Sequence, residues 1–405
     1  MNPHSRFQGC LLGVAVGDAV GSQIRSAGDV LHTPLIADAA LRVSSRTSET
    51  LIGARAAALA RARGDGGAYL GPQIAAELAR WYHEPGAALT GPSPTTRASA
   101  AAMVAGCAWN VVSNPQSCGS DVLLRAVPMG LAYGAEIAPD RGRLAAGVTH
   151  GHPTVDGAAA AVAYVIARLT RGAWLGRPLF DEAARICRND QVRESLTAAI
   201  VAAEARADRP RQWIRCDDVP GDCGLSAASA VGLAVEVALC FPGVGTYEDF
   251  EAAVELAARI PGRGDVVAAL VGGMLGAAWG HGAVSRHFIE RIPAALELSR
   301  LARGLHAMSG ASAYSAGPAP RDADVDGAWS PGMTSVEDFR AAPVEDVIAE
   351  SAVGQRLVAL KKILNPDAYA AADAEAEKVE PKWVIEGEVD LHAMLEFSRG
   401  RFTDS

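Results

Sequence analysis

The sequence predicts an all-α protein, and its composition and periodicity both lead to that prediction. Hydrophobic residues make up 49% of the 405 residues, which is enough for a large buried core. Only 5% are aromatic, whereas alanine and glycine abound. Such a composition favours closely approaching helices over a sandwich or barrel. Apolar residues recur at helical spacing through the first three hundred residues, so we expect a multi-helix bundle.

The predicted helices follow one another along the chain. The first lies in residues 6–25, and we expect it to end in the cluster Gly17-Asp18-Ala19-Val20-Gly21, where backbone can approach a ligand closely. The second stops at Gly64, a residue suited to a left-handed helix end. The helices after the first are predicted over 50–63, 96–110, 153–172, 193–207, 225–240, 247–259, 265–280 and 284–303.

We expect a large helical domain followed by an appendage. Residues 1–305 form the helical domain in this interpretation. Residues 306–335 are rich in Gly, Ser, Pro and Asp and are typical of a linker. Residues 336–405 form a C-terminal extension, with a helix at 336–363 and a short strand in KWVIEGEVDL.

Charge and cysteine usage restrict the class of partner. The formal charge of −9 argues against nucleic acid, because neutralising phosphates requires clustered Lys and Arg. The apolar run at 157–167 is too short to cross a membrane, so we expect no membrane partner. The first residues show no basic leader, and the seven cysteines are scattered, unlike a disulfide framework. These features indicate a reducing cytoplasm.

Four segments between residues 6 and 282 carry candidate chemistry. They are GCLLGVAVGDAVG, Thr47-Ser48-Glu49-Thr50, the pair CGSDVLLRAVPMGLAYG and THGHPTVDGAAAAVAYVIA, and PGRGDVVAALVGGMLGAAWG. In this order they resemble the ADP-ribosylglycohydrolase family, whose members cleave the bond joining ADP-ribose to a side chain or small molecule. The resemblance implies a compact orthogonal multi-helix bundle. It also implies a small-molecule ribosyl or nucleotide ligand.

In that family, a Thr-Asp-Asp-Thr segment and an Asp-x-Asp-Thr segment hold two magnesium ions, which bind ribose hydroxyls and position a water. Thr47 and Asp265 match the family pattern, and Glu49 replaces an aspartate conservatively. Hard divalent cations need several oxygen ligands, and few remain here. The resemblance therefore implies no firm metal site, and any Mg²⁺ would be held by these three residues.

Other positions depart from the family pattern. Ser48 and Arg263 each replace an aspartate, Val266 replaces a threonine, and Arg25 stands where an acidic residue is expected. Arginine near the remaining carboxylates could supply part of the positive charge that magnesium supplies. The alternative is that Arg25 and Arg263 form ion pairs that fill an abandoned metal site.

Three carboxylates are the catalytic candidates, namely Asp18, Glu49 and Asp265. Cleaving a ribosyl bond develops oxocarbenium character, so the site needs a carboxylate to stabilise charge or activate water. Each residue also has a structural explanation. Asp18 and Asp265 could cap helices, and Glu49 could be a solvated first-turn residue that favours the helix dipole.

Substrate-binding candidates come from all four segments. They are Arg25, Thr47, Ser48, Gly119, Ser120, His150, His152 and Arg263. Gly119-Ser120 resembles a turn that presents backbone N–H groups to a diphosphate, although Asp121 replaces a small residue there and would repel phosphate. Capping or core hydrogen bonding would explain His150 and His152 as well as ligand contact does.

We expect a glycohydrolase-like enzyme that cleaves an ADP-ribosyl, nucleotide or nucleoside-type N-glycosidic bond. The expected substrate is a small NAD- or nucleoside-derived metabolite, with reduced or no magnesium dependence. One alternative is an inactive ADP-ribose-binding scaffold, and another is a lyase or cyclisation reaction on a sugar-derived intermediate. A homo-oligomer is compatible with the sequence.

Overall fold

A computed structural model of the protein describes residues 3–26, 41–64, 68–84, 91–206, 222–242 and 245–309, and the backbone of 384–385 and 388–389. Within these ranges the chain forms fourteen α-helices, which confirms the predicted all-α class. They are α1 (Pro3–Ser26), α2 (Ser45–Ala62), α3 (Leu70–Tyr82), α4 (Pro94–Val104), α5 (Leu123–Ala132), α6 (Ala138–Gly147), α7 (Pro153–Thr170), α8 (Arg177–Ile186), α9 (Asp190–Ala205), α10 (Ala227–Leu239), α11 (Tyr247–Ala258), α12 (Gly264–Trp279), α13 (Arg286–Ile289) and α14 (Ala295–Ser309).

Most predicted helices are present with shifted ends. The helix predicted at 284–303 is two helices, α13 and α14, because Pro293 lies between them and cannot donate a helical hydrogen bond. Four helices, α3, α5, α6 and α8, were not predicted. Gly64 follows the end of α2 with φ 81°, as its predicted role in a left-handed helix end requires.

The C-terminal region is described only at one short hairpin. Strands β1 (Val384–Ile385) and β2 (Glu388–Val389) pair antiparallel. The segment KWVIEGEVDL, where one strand is predicted, therefore forms a two-stranded hairpin. The helix predicted at 336–363 lies outside the described residues. Helix α14 continues to Ser309, a few residues into the predicted linker.

The packing of α1 on α12 sets the geometry of the site. A Cβ at Gly13 would lie 2.1 Å from the carbonyl oxygen of Gly272, and one at Gly17 would lie 2.0 Å from that of Ala268. The two backbones are therefore in direct contact, which only glycine allows. The expectation that the first helix ends in the Gly17–Gly21 cluster is wrong. Helix α1 continues to Ser26, and these glycines approach α12 instead.

Cysteine chemistry differs from the expectation at one position. Cys223 takes part in a disulfide bond. The free cysteines among the described residues are Cys10, Cys107, Cys118, Cys187 and Cys240. Sequence spacing does not determine pairing, which is why the disulfide was not anticipated.

No helix in the described ranges combines the length and apolar character needed to cross a membrane.

Candidate functional site

Five charged side chains meet where α1, α2 and α12 come together, and we call them the arginine–aspartate cluster. They are Arg25 in the last turn of α1, Arg46 in the first turn of α2, Asp121 just before α5, Arg263 at the N-cap of α12 and Asp265 in its first turn. Three positive and two negative groups give the cluster a formal charge of +1.

Asp265 lies at the centre of the cluster with its side chain 2% exposed. Arg25 Nη1 and Arg46 Nη2 contact Asp265 Oδ2 at 2.7 and 3.0 Å. Arg263 Nε donates to Oδ1 at 3.1 Å. Burial alone raises the pKa of Asp265, but the three guanidinium groups outweigh it and hold the pKa below its ordinary value. Asp265 is therefore an ionised carboxylate at neutral pH.

Asp121 forms the second anionic centre. Arg263 donates a hydrogen bond to each carboxylate oxygen of Asp121. Nη1 lies 3.0 Å from Oδ2, and Nη2 donates to Oδ1. Arg46 Nη2 lies 2.8 Å from Oδ1. Burial raises the pKa of Asp121, yet Arg263 and Arg46 lower it further than burial raises it. The carboxylates in turn raise the pKa of Arg263 despite its burial.

Arg46 is the member of the cluster that sequence reasoning missed. Its side chain is only 7% exposed, and its Nη1 donates to Ser44 Oγ and Ser45 Oγ at 3.2 Å each. Its Nε is buried without a hydrogen-bond partner among the described residues. A position just before Thr47 in a helical first turn gave no signal of this role, because its partners are distant in sequence.

Asp18 is fully buried in α1 and anchors the start of α2. Its Oδ2 accepts hydrogen bonds from the backbone N–H groups of Ser44 and Thr47 at 2.7 and 3.1 Å and from Thr47 Oγ1 at 2.6 Å. Its Oδ1 accepts from the hydroxyls of Ser22 and Ser44. Asp18 thus satisfies orphan donors at a neighbouring helix N-terminus.

Glu49 lies in a separate buried ion pair with Arg125, whose side chain is 0% exposed. Glu49 Oε2 accepts from Arg125 Nε and Nη2 at 2.8 and 2.6 Å, and Oε1 accepts from Thr96 Oγ1 at 2.9 Å. Arg125 Nη1 also donates to the carbonyl of Ala145 and to Thr149 Oγ1. Arg125 is a second residue that the sequence did not single out. The structure does not bring Glu49 into contact with the arginine–aspartate cluster.

The residues that would hold magnesium are engaged elsewhere. Thr47 donates to Asp18, Glu49 pairs with Arg125, and Asp265 is surrounded by guanidinium groups. Ser48 Oγ makes only a long contact of 3.5 Å to the Ser44 carbonyl. No group of three His, Cys, Asp or Glu in the described part of the chain could hold a metal. In this arrangement the residues do not fit Mg²⁺, because its oxygen ligands are dispersed and cations stand in its place.

The two candidate histidines, His150 and His152, differ in burial and in hydrogen-bond partners. His152 is the N-cap of α7, with Nδ1 accepting from the Thr154 N–H at 3.2 Å, which matches its capping alternative. His150 is 2% exposed, and its Nδ1 lies 2.8 Å from Thr149 Oγ1. Its Nε2 is buried without a hydrogen-bond partner among the described residues. Burial and the charge of Arg125 lower the pKa of His150 to about 3, so it is neutral.

The Gly119-Ser120 turn packs against the loop before α10. The Ser120 N–H donates to the Leu225 carbonyl at 3.2 Å, and Ser120 Oγ donates to the Gly224 carbonyl at 2.6 Å. Gly119 forms a bridge with Ser226. The Ser120 N–H is therefore occupied, and Asp121 adds a negative charge beside it.

The sequence matches the model of the ADP-ribosylglycohydrolase family over residues 1–314. A solved structure described as an "ADP-ribosylglycohydrolase-related protein complex" aligns with a TM-score of 0.55 at 22% identity, covering 76% of this chain and 99% of that one. At that identity the likeness shows the fold alone. No curated protein matches the sequence significantly. Because the family match spans most of the chain and confirms the resemblance of the four segments, the protein belongs to the ADP-ribosylglycohydrolase family.

Proposed function

We propose that this protein hydrolyses a ribosyl glycosidic bond without magnesium, acting on a small nucleotide- or nucleoside-type metabolite. Membership of the family implies a glycosidic hydrolase acting on ADP-ribosyl-type linkages. The observation that carries the metal-free proposal is the contact of Arg46 and Arg263 with Asp265. Two fixed guanidinium charges stand beside the carboxylate that family resemblance assigns to a metal.

Asp265 is the carboxylate we assign to the reaction. Asp18 and Glu49 are each held by several donors inside the fold, whereas one of Asp265's partners, Arg25, is 52% exposed. Because the Arg25 side chain is half-exposed, it can release Asp265 Oδ2 and bind an oxygen of the ligand instead, which opens Asp265 Oδ2 to the ligand. Arg46 and Arg263 would then keep the carboxylate ionised and fixed in place.

In the proposed step, Asp265 orients a water toward the anomeric carbon. The water oxygen bonds to that carbon as the bond from carbon to the leaving group breaks, and the bonding electron pair stays with the leaving group. One proton of the water ends on the leaving group or in solvent. The nearby guanidinium groups supply the positive charge for ligand oxygens that magnesium supplies in the family pattern.

Incubation with ADP-ribosyl-arginine, NAD and nucleoside N-glycosides, with and without EDTA, tests the proposal. We expect release of a ribosyl product from at least one substrate at a rate that EDTA leaves unchanged. Asp265→Asn should abolish release, whereas Asp181→Asn, which changes a side chain 44% exposed on α8, should not. Release only after added Mg²⁺, or no release at all, would overturn metal-free hydrolysis.

A second candidate is ligand binding without turnover. The observation that favours it is that Asp18, Glu49, Asp121 and Asp265 each accept hydrogen bonds or ion pairs, which leaves no carboxylate of this group free to act as a base. Calorimetry with ADP-ribose separates the candidates. Tight binding with no product after prolonged incubation would support the scaffold function.

A further inference from the structure

The arginine–aspartate cluster is suited to a different ligand group from the one a metal centre takes. In the family pattern, the magnesium ions bind the neutral hydroxyls of ribose. Guanidinium groups instead recognise anionic oxygens, most strongly through paired N–H donors. The replacement of metal by arginine therefore changes the preferred ligand group from a diol to an oxyanion.

The charges of the cluster favour an added anion. Three guanidinium groups converge within hydrogen-bond reach of the single carboxylate of Asp265. Asp121 supplies the second carboxylate of the cluster, so its three guanidinium groups contact two carboxylates. This local excess occurs in a chain of net charge −9. Among the described residues Arg46 Nε also has no hydrogen-bond partner, so one buried donor of the cluster is unsatisfied.

Arg25 is the accessible member of the cluster. Its side chain is 52% exposed, and Nη1 makes its contact with Asp265. The remaining N–H groups of Arg25 can therefore bind a ligand oxygen without breaking the Arg263–Asp121 pair. The side chains of Arg46 and Arg263 are 7% and 11% exposed and are held by Asp121 and Asp265, so their positive charges lie at defined positions beside Arg25.

The turn that would receive a diphosphate is closed. The Ser120 N–H is donated to the Leu225 carbonyl, and the Asp121 carboxylate lies next to it. A diphosphate at this turn would meet an occupied N–H donor and the Asp121 carboxylate. The exposed N–H groups of Arg25 are better placed to receive a phosphate than this turn.

We propose that the site takes a phosphate monoester of a pentose, as in a phosphoribosyl N-glycoside, in preference to an ADP-ribosyl group. This inference rests on the proposed function only in placing the ligand at the cluster. A monoester fits because its three terminal oxygens can accept from several guanidinium groups at once, which a carboxylate with two oxygens does less well.

Calorimetry with ribose 5-phosphate, ribose, ADP-ribose, inorganic phosphate and a pentonate tests the inference without requiring turnover. We expect ribose 5-phosphate to bind at least about tenfold more tightly than each of the others, and its affinity to fall with added salt. Equal binding of ribose, tighter binding of ADP-ribose, or equal binding of phosphate or the pentonate would each overturn it.

Two variants locate the binding. Arg25→Gln should weaken ribose 5-phosphate by about tenfold or more and leave ribose unchanged, because it removes one charge-assisted contact. Arg286→Gln, on α13 with a side chain 89% exposed, is the matched control and should bind like wild type. Unchanged affinity in Arg25→Gln would contradict the inference. Tight ribose 5-phosphate binding without any hydrolysis would instead remove the proposed function and leave this inference standing.

Discussion

Buried carboxylates in this protein have different roles because their partners differ. Asp18 accepts hydrogen bonds from neutral donors at a helix start, Glu49 pairs with one buried arginine, and Asp265 is shared by three. A carboxylate held by several donors inside the core contributes to stability more than to chemistry. Of these three, only Asp265 has an exposed partner, which is Arg25.

Asp18→Asn tests the structural role of Asp18. The amide would place a donor against donors from Ser44 and Thr47, so we expect the free energy of unfolding to fall by about 3 kcal/mol. Urea unfolding measures the change. Asp181→Asn, whose side chain is 44% exposed, should change stability by less than about 0.5 kcal/mol. Full stability together with lost hydrolysis would identify Asp18 as a reacting group.

A double-mutant cycle tests the Glu49–Arg125 pair. Arg125→Met leaves a buried carboxylate without its cation and should cost about 3–5 kcal/mol of unfolding free energy. Adding Glu49→Gln removes that charge while keeping an acceptor for Thr96, so the double variant should be more stable than Arg125→Met alone. Additive losses in urea unfolding would show that the two side chains do not depend on each other.

The sequence identified the site residues that a motif marks, and it missed those that only packing brings in. Arg25, Arg263 and Asp265 stand at family positions and were singled out. Arg46 and Arg125 were not, because a charged residue near a helix start is normally solvated. Arg125 meets Glu49 across 76 positions, a separation that no local pattern reports.

At the level of elements, long helices with clear boundaries were predictable and short ones were not. Helices α7 and α12 have small apolar sequences with marked ends. Helix α5 has only ten residues and contains Pro128, which local rules interpret as a break. The small residues of α1 allow the backbone to approach another group closely. The sequence does not show whether that group is a ligand or another helix.

Gly17→Ala tests the backbone contact between α1 and α12. The added methyl would lie 2.0 Å from the Ala268 carbonyl oxygen, so the helices must separate. We expect a loss of at least about 2 kcal/mol in thermal or urea unfolding. Gly147→Ala in α6 is the control, because nothing lies within 4 Å of its added Cβ. It should be neutral or stabilise by up to about 1 kcal/mol. Equal effects of the two changes would contradict the close contact.

Across the whole molecule, two buried groups have large and opposite pKa shifts near neutral pH. Burial lowers the pKa of His150 from 6.5 to about 3. Burial raises the pKa of Glu77, on α3, from 4.5 to about 7. Below pH 6.5, His150 binds a proton in the unfolded chain but stays neutral in the folded protein. The contribution of His150 to stability is therefore lost as pH falls toward 3. Between pH 4.5 and 7 folded Glu77 keeps a proton that the unfolded chain releases, so that contribution is lost as pH rises.

These opposed contributions largely cancel each other between pH 4.5 and 6.5, so two variants should change the slope of stability against pH in opposite directions relative to wild type. Each unbalanced proton gives a slope of up to about 1.4 kcal/mol per pH unit. His150→Gln leaves Glu77 unopposed, so its unfolding free energy should fall as pH rises. Glu77→Gln leaves His150 unopposed, so its unfolding free energy should fall as pH decreases. Asp121 and Asp265 do not disturb this window, because their pKa values lie below the ordinary 3.8. Urea unfolding at several pH values measures the three curves, and parallel curves would show that neither group titrates as its burial implies.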